Sequence, residues 1–271
     1  MRSRFKHSLK LVAAVIPFVI AIIIAKLVVH HYFNAEFIPI NAIFSALIGA
    51  NVFLMGFLIS GVLTDYKESE KIPGDIAATV LSIADEIKYI ELKTGDTQFT
   101  KERFAKIMEL AAGIKKWLYK EARYGEITAM IENLSGEFLL MEKYTAPNYI
   151  ARLKQEQNNL RKLIIRVHTI RETDFIFSGY FIAATTTFFL IIGMIFMKMD
   201  PFYESLFFVA LTSYLMIYLL KLIRDLDNPF GHYEKSSLED VSLHPINKAI
   251  ERISENIDGT KREHDHEFAG R

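Results

Sequence analysis

Four stretches of the chain, 11–30, 40–63, 175–197 and 202–220, are almost continuously apolar, and nearly all of the charge lies outside them. Crossing a hydrocarbon core of about 30 Å takes about 20 helical residues, roughly the length of each stretch. The first holds a single charge, Lys26, near enough to an end to snorkel, and Pro17, which a membrane helix tolerates when its neighbours satisfy the freed carbonyl. The second holds none. The third contains Thr185, Thr186 and Thr187, whose hydroxyls can bond within their own helix or across to another. A tight connection over 198–201 joins the third stretch to the fourth, which makes those two an antiparallel pair.

Between the second and third stretches the apolar residues recur at spacings of four and three. Ile76, Val80, Ile83, Ile87 and Ile90 predict one helix, and Phe104, Ile107, Met108, Ala111, Ile114 and Leu118 a second, with a break at Lys93-Thr-Gly-Asp96. A third helix is predicted within 126–143, and a fourth from Pro147, a residue suited to a first turn, running into the third apolar stretch. Each has one apolar face that must pack on something, which predicts a helical bundle without strands of consequence or internal repeats. After 221 the chain turns polar, and Pro229, Gly231 and Pro245 interrupt helix formation. A short amphipathic helix on Ile246, Ile250 and Ile253 and a frayed tail over 258–271 are predicted to follow.

Composition narrows the chemistry. The chain has 271 residues, 51% of them hydrophobic, so it is too apolar for disorder. Its 32 Lys and Arg balance 32 Asp and Glu, which leaves no basic field for a nucleic-acid partner. In 64–173 alone 18 basic residues face 17 acidic ones, an ordinary solvated surface and not a lipid clamp. The absence of Cys excludes disulfides, thiol nucleophiles and Cys-ligated metal sites. No P-loop, G-x-S-x-G, H-E-x-x-H or Gly-rich dinucleotide turn occurs, and carboxylate pairs such as Asp85 and Glu86 sit on a charged helix face, so no enzyme activity and no cofactor are expected. His264, Asp265 and His266 are adjacent in the tail and enforce no coordination geometry, so no metal site is expected there.

The second stretch differs from the other three. Asn41, Ser45, Gly49, Phe53, Gly56 and Ser60 fall on one helical stripe, small and polar except for one ring, opposite a face of Ile and Leu. An Asn in hydrocarbon is costly unless it meets a helix or water, so the stripe, with Asn51 nearby, is expected to turn away from lipid. Close helix packing through small residues is one reading of it. A pore lining in a symmetric oligomer is the other, with Phe53 repeated about the axis as a constriction that gates by dewetting.

Two short blocks carry a family resemblance. Asp227-Asn228-Pro229-Phe230-Gly231, followed by 239–246, resembles the signature after the last membrane helix of the bestrophins and bestrophin-like membrane proteins, and 66–75 resembles their stretch leading from the pore helix to the cytoplasmic helices. The order of elements is similar over nearly the whole chain. The resemblance implies an all-α membrane protein with four transmembrane helices per subunit and a cytoplasmic helical bundle, assembled as a homo-oligomer, a pentamer, in a lipid bilayer. It implies an ion channel, chloride conducting, with the second helix around the pore. Its bulky apolar neck residues would fall near Ser45, Gly49 and Phe53, of which only Phe53 is bulky. The Arg and paired Trp of the family after the pore helix are missing from 60–66, and His232, Tyr233, Glu234 and Lys235 stand where calcium-activated members carry an acidic cluster, too few carboxylates for calcium. Two other readings stay open: a non-conducting scaffold whose cytoplasmic bundle binds a partner, and a cation-permeable relative with Asp65 and Asp75 as rings near the inner mouth.

The expected organisation is therefore 1–63 as the N-terminal segment with the first two spans, 64–173 as the cytoplasmic helical region, 174–224 as the last two spans and 225–271 as a cytoplasmic tail. Orientation follows from Arg2, Arg4, Lys6 and Lys10 before the first span, Lys221 and Arg224 after the fourth, and no Lys or Arg between the first two; both termini face the cytoplasm. A cleaved signal peptide fits less well, because the first apolar stretch is long and no small-x-small site closes it. In this Cys-free chain, cysteines introduced at Glu36 and at Lys143 should react with an impermeant thiol reagent from opposite sides of a sealed vesicle. Labelling from one side would remove the four-span topology.

Overall fold

In the computed structural model the described residues are 2–172, 177–231 and 240–269, with side chains described for 10–172, 178–231 and 240–257. Nine α-helices are found among them: α1 (Arg2–Val28), α2 (Ala42–Ser69), α3 (Ile72–Thr94), α4 (Thr97–Leu118), α5 (Tyr124–Met141), α6 (Pro147–Glu172), α7 (Phe177–Ile195), α8 (Phe202–Asp227) and α9 (His244–Ala269). A π-helical turn at Val29–Phe33 ends α1. Four segments are long and apolar enough to cross a membrane, Lys10–Phe33, Ala42–Thr94 through its first part, Ser178–Ile195 and Phe202–Asp227, so this is a multi-pass integral membrane protein. The fold class is all-α.

Contacts divide the chain into two units. The first comprises Met1–Lys67, Asp174–Pro229 and Ser236–Glu239, and the second Glu68–Thr173, Phe230–Lys235 and Asp240–Arg271. In the first unit α8 packs against both α1 and α7. Met55, Leu58 and Val62 of α2 share a core with Ala183, Leu190 and Met194 of α7 and Val209, Met216 and Ile223 of α8. Gly193 permits a close approach there: a Cβ at this position would lie 2.7 Å from the Phe44 ring. One short ladder departs from the all-helical expectation, a parallel pairing of β1 (Ile38–Pro39) with β2 (Met197–Lys198). It ties the α1–α2 connection to the α7–α8 connection, and the backbone N–H groups of Phe37 and Ile38 add hydrogen bonds to the Phe196 carbonyl.

The second unit is a bundle of α3, α4, α5, α6 and α9, with α9 seated on α3 and α4. The apolar residues that predicted these helices are its core: Ile76, Ile83 and Ile87 meet no solvent to speak of, nor do Ile107, Ile114, Leu160 or Ile253. The break between α3 and α4 is built as the sequence requires. Gly95 takes a left-handed φ of 72°, which glycine adopts without penalty, and the Asp96 carboxylate caps α4 by accepting from the Phe99 N–H at 3.0 Å. Gln157 is buried and satisfied, donating to the Ile131 carbonyl at 2.6 Å and to Ser135 Oγ at 3.0 Å.

Two expectations about the C-terminal region change. The helix built on Ile246 is not short: α9 runs 26 residues, to Ala269, so the backbone of most of the expected frayed tail is helical. Ile250 is only half-buried, and Ala249 takes a core place beside Ile246 and Ile253. Pro245 does not interrupt this helix because it lies in the first turn, where its missing N–H has no partner to lose. The junction of α6 with α7 at 173–176, the residues 232–239 after the Gly231 turn, and the side chains of His264, Asp265 and His266 lie outside the described residues.

Pro229 and Phe230 make a turn directly after α8, and Phe230 is fully buried. Phe230→Ala should therefore cost about 3–5 kcal/mol, because it removes a buried ring and leaves a cavity. Thermal unfolding of the purified protein reads this directly. An unchanged melting temperature with lost ion flux would make the turn a gate and not an anchor.

Candidate functional site

The stripe of α2 lies on the surface of the subunit. Asn41, Ser45, Gly49, Phe53, Gly56 and Ser60 are all exposed, Phe53 at 79%, while Asn51, Met55, Leu58 and Val62 are buried. At about 100° per residue those two sets occupy opposite sides of one helix. The packed side faces α7 and α8, and the stripe faces no helix of its own unit. Space around it is open: a Cβ on Gly49 or on Gly56 would have nothing within 4 Å.

The polar members have distinct local roles. Asn41 precedes the helix and caps it, its Oδ1 accepting from the Phe44 N–H at 2.8 Å. Ser45 Oγ donates back to the Asn41 carbonyl at 3.2 Å, and Thr64 Oγ1 donates to the Ser60 carbonyl at 3.0 Å. Hydroxyls bonded to their own helix can face an apolar or a wet surface at little cost, since their donors are already satisfied.

Asn51 does not belong with the stripe. It is buried on the opposite face, where its Nδ2 donates to Thr187 Oγ1 of α7 at 2.8 Å. Helical spacing sets 51 apart from 49 and 53 by more than a quarter turn each way, and a costly amide in lipid is met here by a neighbouring hydroxyl and not by a pore. A residue that the sequence reading did not single out stands at the stripe's edge: Phe57, 68% exposed, one turn beyond Phe53. Its i+4 spacing from Phe53 was the available signal. Of the two acidic candidates, Asp75 is exposed in the first turn of α3, and Asp65, near the end of α2, is half-buried and takes part in an interaction of its own.

The loop that leads into α2 is held by a polar cluster. Lys26 does not snorkel; it is fully buried, with its Nζ 2.6 Å from Glu36 Oε1 and bonded to the Met197 carbonyl. The reason is local: the π-helical turn and the left-handed Asn34 fold the chain back, which returns Glu36 to the side of α1 that carries Lys26. His30 Nδ1 lies 3.0 Å from the other Glu36 oxygen, and its ring stacks at 3.7 Å on Phe202, the first residue of α8. Ladder, ion pair and stacked ring thus fix the residues just ahead of Asn41. Burial pushes the Glu36 carboxyl up, but hydrogen bonds and charge from Lys26 and His30 outweigh it and hold the group below its ordinary value of 4.5.

Because Glu36 is 10% exposed and paired, Tyr32, which is well exposed, is the better site for a topology reporter. A carboxyl whose folded-state pKa is lowered stabilises the fold above its unfolded pKa, and that contribution drains away as pH falls through the folded value. The intact protein should lose melting temperature below about pH 4.5 to a greater extent than Glu36→Gln does. At neutral pH Glu36→Gln should itself cost several kcal/mol, about 3–5, since Lys26 is left buried without its countercharge. Equal acid sensitivity of the two proteins would remove Glu36 from this role.

No protein-family model and no curated protein matches the sequence. Solved structures do. A crystal structure of a bacterial bestrophin homologue from Klebsiella pneumoniae superposes at a TM-score of 0.70 with 15% identity, covering 91% of this chain and 96% of that one. A point variant of a Klebsiella pneumoniae bestrophin homologue gives 0.72 at 15% identity, covering 92% of this chain and 99% of that one. A variant described as a membrane protein gives 0.73, again at 15% identity. Four spanning helices and a helical unit in this order thus make a bestrophin-like fold, and the resemblance carried by the Asp227–Gly231 and 66–75 blocks is one of fold over nearly the whole chain.

Proposed function

We propose that the chain is the subunit of an oligomeric ion channel of the bestrophin-like type, with α2 around the conduction path and Phe53 at its narrowest apolar ring. The observation that carries this reading is the exposure of the small, polar stripe from Asn41 to Ser60 on a spanning helix whose opposite face is packed. Within a subunit no helix covers it. Lipid is a poor neighbour for the Asn41 amide, so either another subunit or water is the better one. A ring of subunits supplies both, and the bestrophin-like fold supports such an assembly, a pentamer by analogy.

Exposed Phe53 and, one turn on, Phe57 would set successive apolar rings, with the open positions Gly49 and Gly56 beside them. Anions are the proposed cargo. The stripe itself carries no charge of either sign, so selectivity would rest on dipoles of Ser45, Ser60 and Asn41 and on charges near the mouths. The basic flanks support a cytoplasmic side for both termini and for the region 64–173. The competing class is a non-conducting assembly in which the same stripe is an interface between subunits. Asp75, exposed at the start of α3, is what a cation-permeable variant of the reading would use.

Purified protein in planar bilayers tests this. Phe53→Ala should raise conductance or open probability by widening the dry segment, and Gly49→Leu should lower it by adding an apolar ring. Replacing chloride by a large impermeant anion at constant cation should shift the reversal potential if anions carry the current. Absence of current under every ionic condition, with the stripe protected from thiol reagents in the oligomer, would favour the packed interface.

A further inference from the structure

A groove of about 420 Å³ opens on the first unit between α1 and α7, with Ile217 and Leu220 of α8 adding to its wall. Its origin is sequence-local: Ala21 and Ala25 of α1 and Ala184 of α7 are too small to fill the space where larger side chains would close the gap. The wall is apolar apart from Thr187, whose hydroxyl already accepts from Asn51. No residue of α2 lines it, so the groove is separate from the exposed stripe. Its volume falls in the roughly 300–1,000 Å³ range of ligand clefts.

One end of this apolar groove carries positive charge. Lys221 Nζ stands 4.7 Å from the centroid of the Phe18 ring, itself part of the wall, and donates to the Ala14 carbonyl at 2.6 Å. An ammonium has three N–H donors, and the Ala14 carbonyl takes one. One turn before Ala14 on the same side of α1 stands Lys10, which is exposed.

We propose that this groove holds an acyl chain of an anionic glycerophospholipid, with the lipid phosphate between Lys221 and Lys10. The apolar cleft within a spanning region accounts for the chain, and Lys221 at its end, with exposed Lys10 one turn before Ala14 along α1, accounts for the headgroup's charge. A neighbouring helix would be the alternative filling, but it would leave Lys221 at its edge without an anion. A neutral lipid would fill the groove without using the charge.

The test reads bound lipid on the intact, purified protein by native mass spectrometry after equilibration with palmitoyl-oleoyl phosphatidylglycerol or with the phosphatidylcholine of the same chains. Phosphatidylglycerol should be retained in preference. Lys221→Ala should lower its retention about fivefold and leave phosphatidylcholine unchanged, while Lys221→Arg keeps the preference. Ala184→Phe, which puts a ring into the groove, should lower retention of both lipids. The proposal is overturned if Ala184→Phe keeps phosphatidylglycerol at the level of the parent protein, or if both lipids are held equally before and after Lys221→Ala. A Phe188→Cys substitution in this Cys-free chain that cross-links between subunits in high yield also overturns it, because a second copy then occupies the groove. Since lipid mass and not current is read, the outcome is independent of whether α2 conducts.

Discussion

Apolar side chains gain little by leaving lipid for a helix interface, so spanning helices depend on polar contacts and close fits for their arrangement. Here the governing contact is the buried pair of Lys26 with Glu36. An ammonium with no solvent exposure inside a spanning helix is tolerable only if its countercharge is delivered to it, and the connection between α1 and α2 must fold back to do so. From that requirement follow the bond to the Met197 carbonyl, the short ladder of Ile38–Pro39 with Met197–Lys198, and the stacking of His30 on Phe202. The same loop ends at Asn41, the cap of α2. Position and start of the helix that carries the exposed stripe are thus set by one charge on the helix before it.

Two polar devices then give α2 its two faces. Asn51 fixes the packed face by its bond to Thr187, and Gly193 lets α7 approach the Phe44 ring near the start of the helix. With that face committed, helical geometry leaves Ser45, Gly49, Phe53 and Ser60 outward. On the outward side the Ser45 hydroxyl needs no partner from another helix because it bonds back to the Asn41 carbonyl, within the helix's own first turn. A surface of this kind is stable in a lone subunit and still available to a neighbour or to water.

What the sequence makes legible is what depends on neighbours along the chain. The spans follow from apolar length, the bundle from the recurrence of Ile76, Ile83, Ile87 and Ile90, and the α3–α4 break from Gly95 and Asp96, whose left-handed backbone and side-chain cap are local chemistry. Contacts between distant segments are less legible. Lys26 near the end of an apolar run reads as a snorkelling residue, because nothing local reveals that Glu36 returns to it. Asn51 reads as a neighbour of the polar stripe, because a sequence shows that an amide needs a partner but not which of several threonines supplies it. The length of α9 was missed for a related reason: its second half is charged and lacks the apolar period, and helical backbone there is not announced by a core-facing pattern.

The likeness to bestrophin homologues at 15% identity has the same asymmetry. A fold survives such divergence because many different apolar side chains fill a helix interface of given width, whereas a neck is defined by the one or two side chains that stand at its narrowest level. The NPFG turn and the exposed stripe of α2 bear on different parts of the problem. Phe230, fully buried in its turn, is a packing residue, and such a residue tracks the fold. Ser45 and Gly49 are exposed positions on α2, and the exposed ring of Phe53 has Phe57 as its neighbour one turn on. In the proposed channel the apolar restriction therefore falls at Phe53 and Phe57, with a wider approach past Ser45 and Gly49 from the Asn41 end.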